Sequence, residues 1–145
     1  MQTYIFTTQE ILDLLSDAGV KPSAQRMTIL RYLMENRIHP TVDEIFKSLL
    51  PENPTLSRTT VYNTLRLLEA SSIIRSIGTG GGDGTRWDYS DHDHGHFLCT
   101  SCGHVTDVDY DSASTSFTLP PEGYTVHSAD VIFKGICPEC SGALK

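Results

Sequence analysis

This 145-residue sequence has no long apolar run, few basic residues and no cysteine in its first half. A membrane-spanning helix needs about eighteen or more apolar residues in succession, so we expect no insertion into a membrane. Residues 1–8 lack the basic segment and apolar stretch of a secretory signal. The cytoplasm is therefore the expected compartment.

The formal net charge of −7 is unfavourable for a nucleic-acid partner, but the charge is unevenly distributed. Residues 1–75 contain eight Lys/Arg and eight Asp/Glu, whereas the remainder contains three and ten. The acidic, histidine-rich second half suits cations, and the neutral first half can still present a local basic face. Nucleic-acid binding by the first half is thus not excluded.

The first seventy residues have the apolar periodicity of four amphipathic helices. Each is preceded by a residue type that caps helix N-termini, and a capping box marks the third. The candidate caps are Thr7 or Thr8, Ser23, Thr41 and Ser57. Gly19 ends the first helix, and Pro51 stops the third.

Two short strand candidates follow these helices, at 73–77 and 85–89, and a glycine-rich loop at 78–84 separates them. Helices followed by a glycine-tipped hairpin predict a winged helix-turn-helix. From residue 91 onward the pattern is of short, broken strands. We predict an α+β chain with a winged-helix domain at 1–84 and a small mixed α/β dimerisation domain at 85–145.

The strongest chemical signal is a pair of C-x-x-C motifs, whose cysteines are Cys99, Cys102, Cys137 and Cys140. Each motif offers two thiolates on a tight turn, and two such turns complete a tetrahedron around zinc. In a reducing cytoplasm this spacing favours a metal over disulfides. We predict a structural Zn²⁺ site that joins distant strands, in preference to free or redox-active cysteines.

A second cluster of metal-ligand types surrounds the first motif. His94 and His96 alternate in a strand-like segment, so both imidazoles can face one ion. Asp88 lies at the end of the hairpin, and Asp107 lies on the strand after the first motif. Imidazole and carboxylate ligands suit iron, manganese, zinc or nickel. His104 is expected to be a bystander, and by spacing alone so is His39, an isolated histidine before a proline.

The fourth helix, at 57–69, is the candidate DNA-recognition helix. Residues near the N-terminus of such a helix meet base edges in the major groove. Here they are Arg58, Thr59, Thr60, Tyr62 and Asn63. Arg58 is a candidate for reading guanine. Phosphate contacts are expected from Arg26, Arg31, Arg66 and Arg75, and Arg86 is expected to compensate for a wing tip that lacks basic residues.

Four segments together resemble the ferric uptake regulator (Fur) family and span nearly the whole chain. They are HPTVDEIF at 39–46, SRTTVYNTL at 57–65, HGHFLCTSCG at 94–103 and CPEC at 137–140. The resemblance implies a homodimer that binds inverted-repeat operator DNA when a regulatory metal is loaded. It also implies that Tyr62 contacts DNA.

The resemblance further implies the ligands of the regulatory ion: His39, Asp88, His94, His96 and Asp107. Aspartates at 88 and 107 resemble the peroxide-sensing PerR branch, in which Fe²⁺ or Mn²⁺ is loaded. Oxidation of His39 or His94 by peroxide would then release the operator. An iron-responsive repressor, or one responsive to another metal, is the alternative.

Two hypotheses lie outside the regulator class, and the first of them is disfavoured. A metal enzyme would use His94, His96 and an aspartate around a catalytic ion. The sequence has no further group of acid/base or nucleophilic residues typical of a catalytic site. A metal enzyme would also leave the function of the helical half unexplained. A zinc-ribbon scaffold that binds protein partners is the other reading, and metal-dependent DNA binding would separate it from a repressor.

Overall fold

The computed structural model describes residues 4–77, 84–89, 95–109, 120–125 and 130–142. The chain divides into two compact units, Met1–Asp91 and His92–Lys145. The predicted domain boundary at 84/85 lies before the second strand of the hairpin, whereas the division between the units lies after it. Both units mix helix and strand, and the α+β class predicted from the sequence is confirmed.

The first unit opens with four α-helices: α1 (Thr8–Asp17), α2 (Ala24–Glu35), α3 (Val42–Leu49) and α4 (Arg58–Ala70). Their N-caps are Thr7, Ser23, Thr41 and Ser57, and each cap side chain accepts a hydrogen bond from a backbone N–H of the first turn. The capping box predicted at Thr41 and Glu44 is present. After α3 the chain continues into a short 3-10 helix at Leu50–Glu52, because Pro51 is tolerated in a first helical turn.

One hydrophobic core holds these helices together. Ile11, Leu30, Ile45 and Leu65 each come from a different helix and are fully buried. Their spacing follows the apolar stripes seen in the sequence, because residues three and four apart share one face of a helix. This core fixes α4 against α2 and α3 and leaves its other face to solvent.

A β-hairpin completes the first unit. Strands β1 (Ile74–Ile77) and β2 (Arg86–Tyr89) are antiparallel, and Arg75 pairs with Asp88 in their register. Trp87 in β2 packs into the helical core. β2 also pairs with the loop before α3: Thr41 and Arg86 form an isolated antiparallel bridge. The predicted winged arrangement is therefore present, apart from the tip at 78–83, which lies outside the described residues.

The second unit contains a three-stranded sheet in the order β4-β3-β5. Its strands are β3 (Gly95–Cys99), β4 (Val105–Val108) and β5 (Ile132–Gly135), followed by the short helix α5 (Pro138–Ser141). β3 is antiparallel to β4 and parallel to β5. Within the described parts of the chain, no helix is long and apolar enough to cross a membrane.

Candidate functional site

The four cysteines cluster in the second unit, with their sulfur atoms all within 4.8 Å of one another. Four sulfurs at about 2.3 Å from a tetrahedral zinc ion are about 3.8 Å apart. The sulfurs of Cys102 and Cys137 are 3.9 Å apart, close to this spacing. The four thiols therefore fit a tetrahedral Zn²⁺ site of the kind that the sequence predicts.

The turns that carry the thiols are shaped by glycines and by backbone amides. Gly103 and Gly142, which follow the two C-x-x-C motifs, adopt φ values of 75° and 77°, in the left-handed region that favours glycine. The backbone N–H of Cys137 donates to the sulfur of Cys99 over 3.4 Å. Each motif is thus a tight turn, and α5 lies inside the second.

Electrostatics within the cluster favour metal binding. Backbone N–H groups of Cys102 and Cys137 lower the pKa of the Cys99 thiol to about 6. The adjacent sulfur of Cys137 raises the pKa of Cys140 to about 12. Crowded thiols therefore cannot all ionise alone, whereas a divalent cation would stabilise every thiolate at once.

In the first unit, His39 lies beside Asp88. The Nε2 atom of His39 and the Oδ1 atom of Asp88 are 3.6 Å apart, and the side chains are only 6% and 4% exposed. Nitrogen and oxygen ligands at about 2.1 Å from a metal ion, on adjacent corners, are about 3.0–3.4 Å apart. The pair is therefore close to the spacing that two ligands of one ion would take.

A second His–Asp pair lies in the second unit. His96 on β3 and Asp107 on β4 are directly opposite in the register, so their side chains share one face of the sheet. The Nε2 atom of His96 is 3.5 Å from the Oδ1 atom of Asp107. The His96 side chain is 7% exposed, whereas the Asp107 side chain is 48% exposed. His94, the remaining predicted ligand, lies outside the described residues.

The face of α4 that points away from the core carries most of the predicted DNA-contacting residues. Thr59, Tyr62 and Asn63 are exposed, and Thr60 is partly buried beside the Ser57 cap. Arg66 lies one turn after Tyr62, and its Nη1 atom is 3.2 Å from the tyrosine hydroxyl. This surface offers a cation, an amide, an aromatic ring and hydroxyls, the side-chain types that contact bases and phosphates.

A polar cleft of about 450 Å³ adjoins this face and separates α4 from the start of α2. Lys21 and Arg26 line one side, and Thr60 and Asn63 line the other. The positive side chains lie next to the N-terminus of α2, where the helix dipole also favours anions. The cleft therefore places two basic side chains beside α4.

Arginines predicted to contact DNA donate to other protein atoms in this structure. Arg58 donates to Asp43 Oδ1 from Nε at 3.1 Å and from Nη2 at 2.9 Å, and it lies over the Phe46 ring. Arg31 donates to the Phe6 carbonyl and to the Thr8 hydroxyl. A guanine contact from Arg58 would require it to leave Asp43.

Arg86 also donates to protein atoms in this structure. Its Nη1 atom donates to the backbone carbonyl of His39 over 2.9 Å and lies 3.6 Å from Glu44 Oε2. The sequence offered no sign of these contacts, because its partners are about forty residues away along the chain. Arg86 therefore supports the loop that carries His39. The sequence did not predict this structural role of Arg86.

Comparison with known proteins identifies the family to which the chain belongs. Residues 17–134 match the model of the ferric uptake regulator family. A curated relative, the peroxide-responsive repressor PerR of Staphylococcus aureus, is 35% identical over 136 residues, which cover 91% of this chain and 90% of the relative. The chain belongs to the Fur family. The resemblance predicted from the four sequence segments is confirmed.

Solved structures agree with this assignment. The Fur protein of Helicobacter pylori aligns over 97% of both chains with a TM-score of 0.69, and at 22% identity it supports the fold alone. PerR of Streptococcus pyogenes aligns over 97% of both chains with 26% identity and a TM-score of 0.51. The Fur-family chain is therefore a metal-responsive regulator by family.

Proposed function

We propose that this chain is a cytoplasmic transcriptional repressor that binds inverted-repeat operator DNA as a homodimer when Fe²⁺ or Mn²⁺ is loaded, and that peroxide relieves the repression. Two His–Asp pairs at metal-ligand spacing, in a chain 35% identical to a PerR repressor, support this function most directly. Structural zinc maintains the second unit, and the regulatory metal controls DNA binding.

Zinc at the four cysteines would act as a structural clip. The first thiol pair begins at the end of β3, and the second pair follows β5, so the ion would join two strands that are distant in sequence. Four thiolates leave no open coordination position, so the site holds the fold and does not catalyse.

The regulatory ion would take ligands from both units: His39 and Asp88 from the first, and His94, His96 and Asp107 from the second. Such shared ligation favours whichever arrangement of the units satisfies all five ligands. The metal would then select a DNA-binding conformation by its higher affinity for that conformation. Nitrogen and oxygen ligands without a thiolate suit Fe²⁺ and Mn²⁺.

DNA recognition is assigned to α4. Thr59, Tyr62 and Asn63 are exposed on one face of a helix that is anchored by its buried side, as major-groove reading requires. Lys21 and Arg26, across the adjoining cleft, are placed to contact phosphates.

Peroxide sensitivity is proposed from the relatives and from the ligand types. The relative from Staphylococcus aureus is a peroxide-responsive repressor, and both carboxylate ligands here are aspartates, as the PerR branch implies. A bound Fe²⁺ supplies the redox chemistry with hydrogen peroxide. The imidazole of His39 or His94 gains one oxygen atom from the peroxide, and the other oxygen leaves as water. The oxidised imidazole binds metal poorly, so the operator is released.

The test compares two histidine variants of the second unit. Double-stranded DNA selected by the Mn²⁺-loaded protein serves as the operator, and fluorescence anisotropy measures binding with and without Mn²⁺. His96→Ala is expected to abolish the metal dependence. His104→Ala, which removes an exposed histidine outside the predicted ligand set, is expected to preserve it.

Persistent metal-dependent binding by His96→Ala would contradict the regulatory site. A selection that recovers no DNA would contradict the repressor function itself. DNA binding by the Fe²⁺-loaded protein that withstands peroxide would instead identify a plain iron- or manganese-responsive repressor.

A further inference from the structure

His39 has an uncommon backbone conformation for a residue with a side chain. Its φ is 54°, in the left-handed region, and Pro40 follows it. Histidine tolerates this region better than most residues, but it is still a strained conformation that persists only where the surroundings impose it. The loop must therefore be held in place by contacts from elsewhere in the first unit.

β2 supplies those contacts through its backbone. The N–H of Trp87 donates to the Pro40 carbonyl over 3.0 Å, and Thr41 and Arg86 form an antiparallel bridge. The loop thus pairs with β2 as a very short additional strand. Because β2 also carries Asp88, the same strand positions both ligands of the first unit.

Arg86 adds the side-chain contact that reaches His39 directly. Its guanidinium donates to the His39 carbonyl over 2.9 Å and lies 3.6 Å from Glu44 Oε2. Glu44 in turn accepts the N–H of Thr41 over 3.0 Å in the capping box of α3. The Arg86 side chain is 24% exposed and that of Glu44 is 49% exposed, so solvent reaches the ion pair more than the guanidinium itself. Arg86 therefore ties the His39 carbonyl to the start of α3.

We propose that Arg86 is a positioning residue for the regulatory metal: it holds the left-handed backbone of His39 so that the imidazole stays beside Asp88 before any metal binds. This inference depends on the proposed role of His39 and Asp88 as ligands. Arg86 precedes Asp88 by two residues on β2, so its positive charge lies on the same side of the strand as a cation ligand.

Because Arg86 is positively charged, the proposal predicts a distinctive direction for the change in metal affinity. A cation near a metal site weakens metal binding by repulsion, so removing Arg86 would raise metal affinity if charge alone mattered. If Arg86 positions His39, its removal lowers metal affinity despite the relief of repulsion. The direction of the change therefore separates the two roles.

The experiment measures the Mn²⁺ affinity of the full chain. The EPR signal of the unbound ion in solution gives the concentration of free Mn²⁺ during a titration. Arg86→Met removes the charge and the donors, and we expect the affinity to fall about tenfold, as for other residues that orient metal ligands. Arg86→Lys keeps the charge and one flexible donor, and it should lose less. The matched control is Arg26→Met, which removes another arginine that donates to a carbonyl, that of Lys21, and should not change the affinity.

A double-mutant cycle with His39→Ala shows whether Arg86 acts through His39. In the His39→Ala background, Arg86→Met is expected to cause no further loss of Mn²⁺ affinity. Trp87, the only tryptophan, is buried next to the loop, so its fluorescence reports whether each variant keeps the local packing. If Arg86→Met unfolds, the Mn²⁺ affinity of Arg86→Lys is compared with and without His39 instead.

The inference is overturned if Arg86→Met raises the affinity or leaves it unchanged, or if its effect is the same with and without His39. A fall in thermal stability with unchanged affinity would likewise reduce Arg86 to a fold-stabilising residue. Failure of the proposed function looks different: His39→Ala would then bind Mn²⁺ as tightly as the unmodified chain.

Discussion

Substitution of Cys99 by serine should unfold the second unit and leave the first unit folded. In the described part of the second unit, Cys99 and Val105 are the buried apolar side chains, whereas Phe133 and Ile136 are each 51% exposed. Burying one aliphatic side chain contributes about 1.5–3 kcal/mol. Ordering a residue costs about 1–2 kcal/mol of backbone entropy, so the two buried apolar side chains among the described residues of this unit offset the ordering of only a few residues.

Zinc bound at the four thiolates would supply a larger stabilising contribution. Structural zinc sites contribute about 10–16 kcal/mol to folding near neutral pH. Removing one of four thiolates opens the site and forfeits much of this contribution. The first unit does not depend on it, because its core draws fully buried side chains from four helices.

Hydrogen exchange on the full chain measures the outcome for each unit. In the second unit the informative amides are those of His96, Cys99 and Thr100, which donate to Val131, His104 and Gly135 at 2.8–3.0 Å. We expect Cys99→Ser to abolish their protection, to abolish dimers and to leave Trp87 emission unchanged.

Glu139→Gln, an exposed change inside the second C-x-x-C motif, serves as the control and should keep both zinc and protection. A zinc-free Cys99→Ser protein whose β3 amides stay protected would refute the structural role of the site.

Three further predictions concern the first unit. Leu65→Ala should lower its free energy of unfolding by about 2–5 kcal/mol in urea denaturation, because Leu65 is fully buried; a smaller loss would show that the core collapses around the cavity. Asn63→Ala should weaken operator binding by about 1–3 kcal/mol in anisotropy titrations and leave Mn²⁺ affinity unchanged, since Asn63 is exposed on α4. Lys47 and Arg58 lower the pKa of Asp43 below 3.8, so its stabilising contribution is present above pH 3.8 and is lost as the pH falls through the lower, folded-state pKa. The difference in thermal stability between Asp43→Asn and the unmodified chain should therefore be constant near neutral pH and shrink in strong acid; a difference that grows in acid would contradict the sign.

The sequence predicted the helices well because their signals are local. The caps at Thr7, Ser23, Thr41 and Ser57 lie within three residues of the backbone groups that they satisfy. The thiol cluster was also predictable, because each C-x-x-C motif defines its own turn and only the meeting of two turns is non-local.

The pairings between distant segments could not be read from the sequence. The parallel pairing of β3 with β5 and the pairing of the His39 loop with β2 depend on contacts across long sequence separations. Ion-pair partners are equally non-local: Arg58 has Asp43 within reach only because α3 and α4 pack together. By spacing alone His39 looked like a bystander; the family resemblance implied its role as a ligand, and the fold places it beside Asp88.

The most direct test of the proposed repressor is operator binding by the Fe²⁺-loaded and the Mn²⁺-loaded protein, before and after a low dose of hydrogen peroxide. Mass spectrometry of the peptides that contain His39 and His94 accompanies each measurement. We predict that only the Fe²⁺-loaded protein loses DNA binding and that one of the two histidines gains one oxygen atom. Continued DNA binding by the Fe²⁺-loaded protein, with both histidines unmodified, would contradict peroxide sensing.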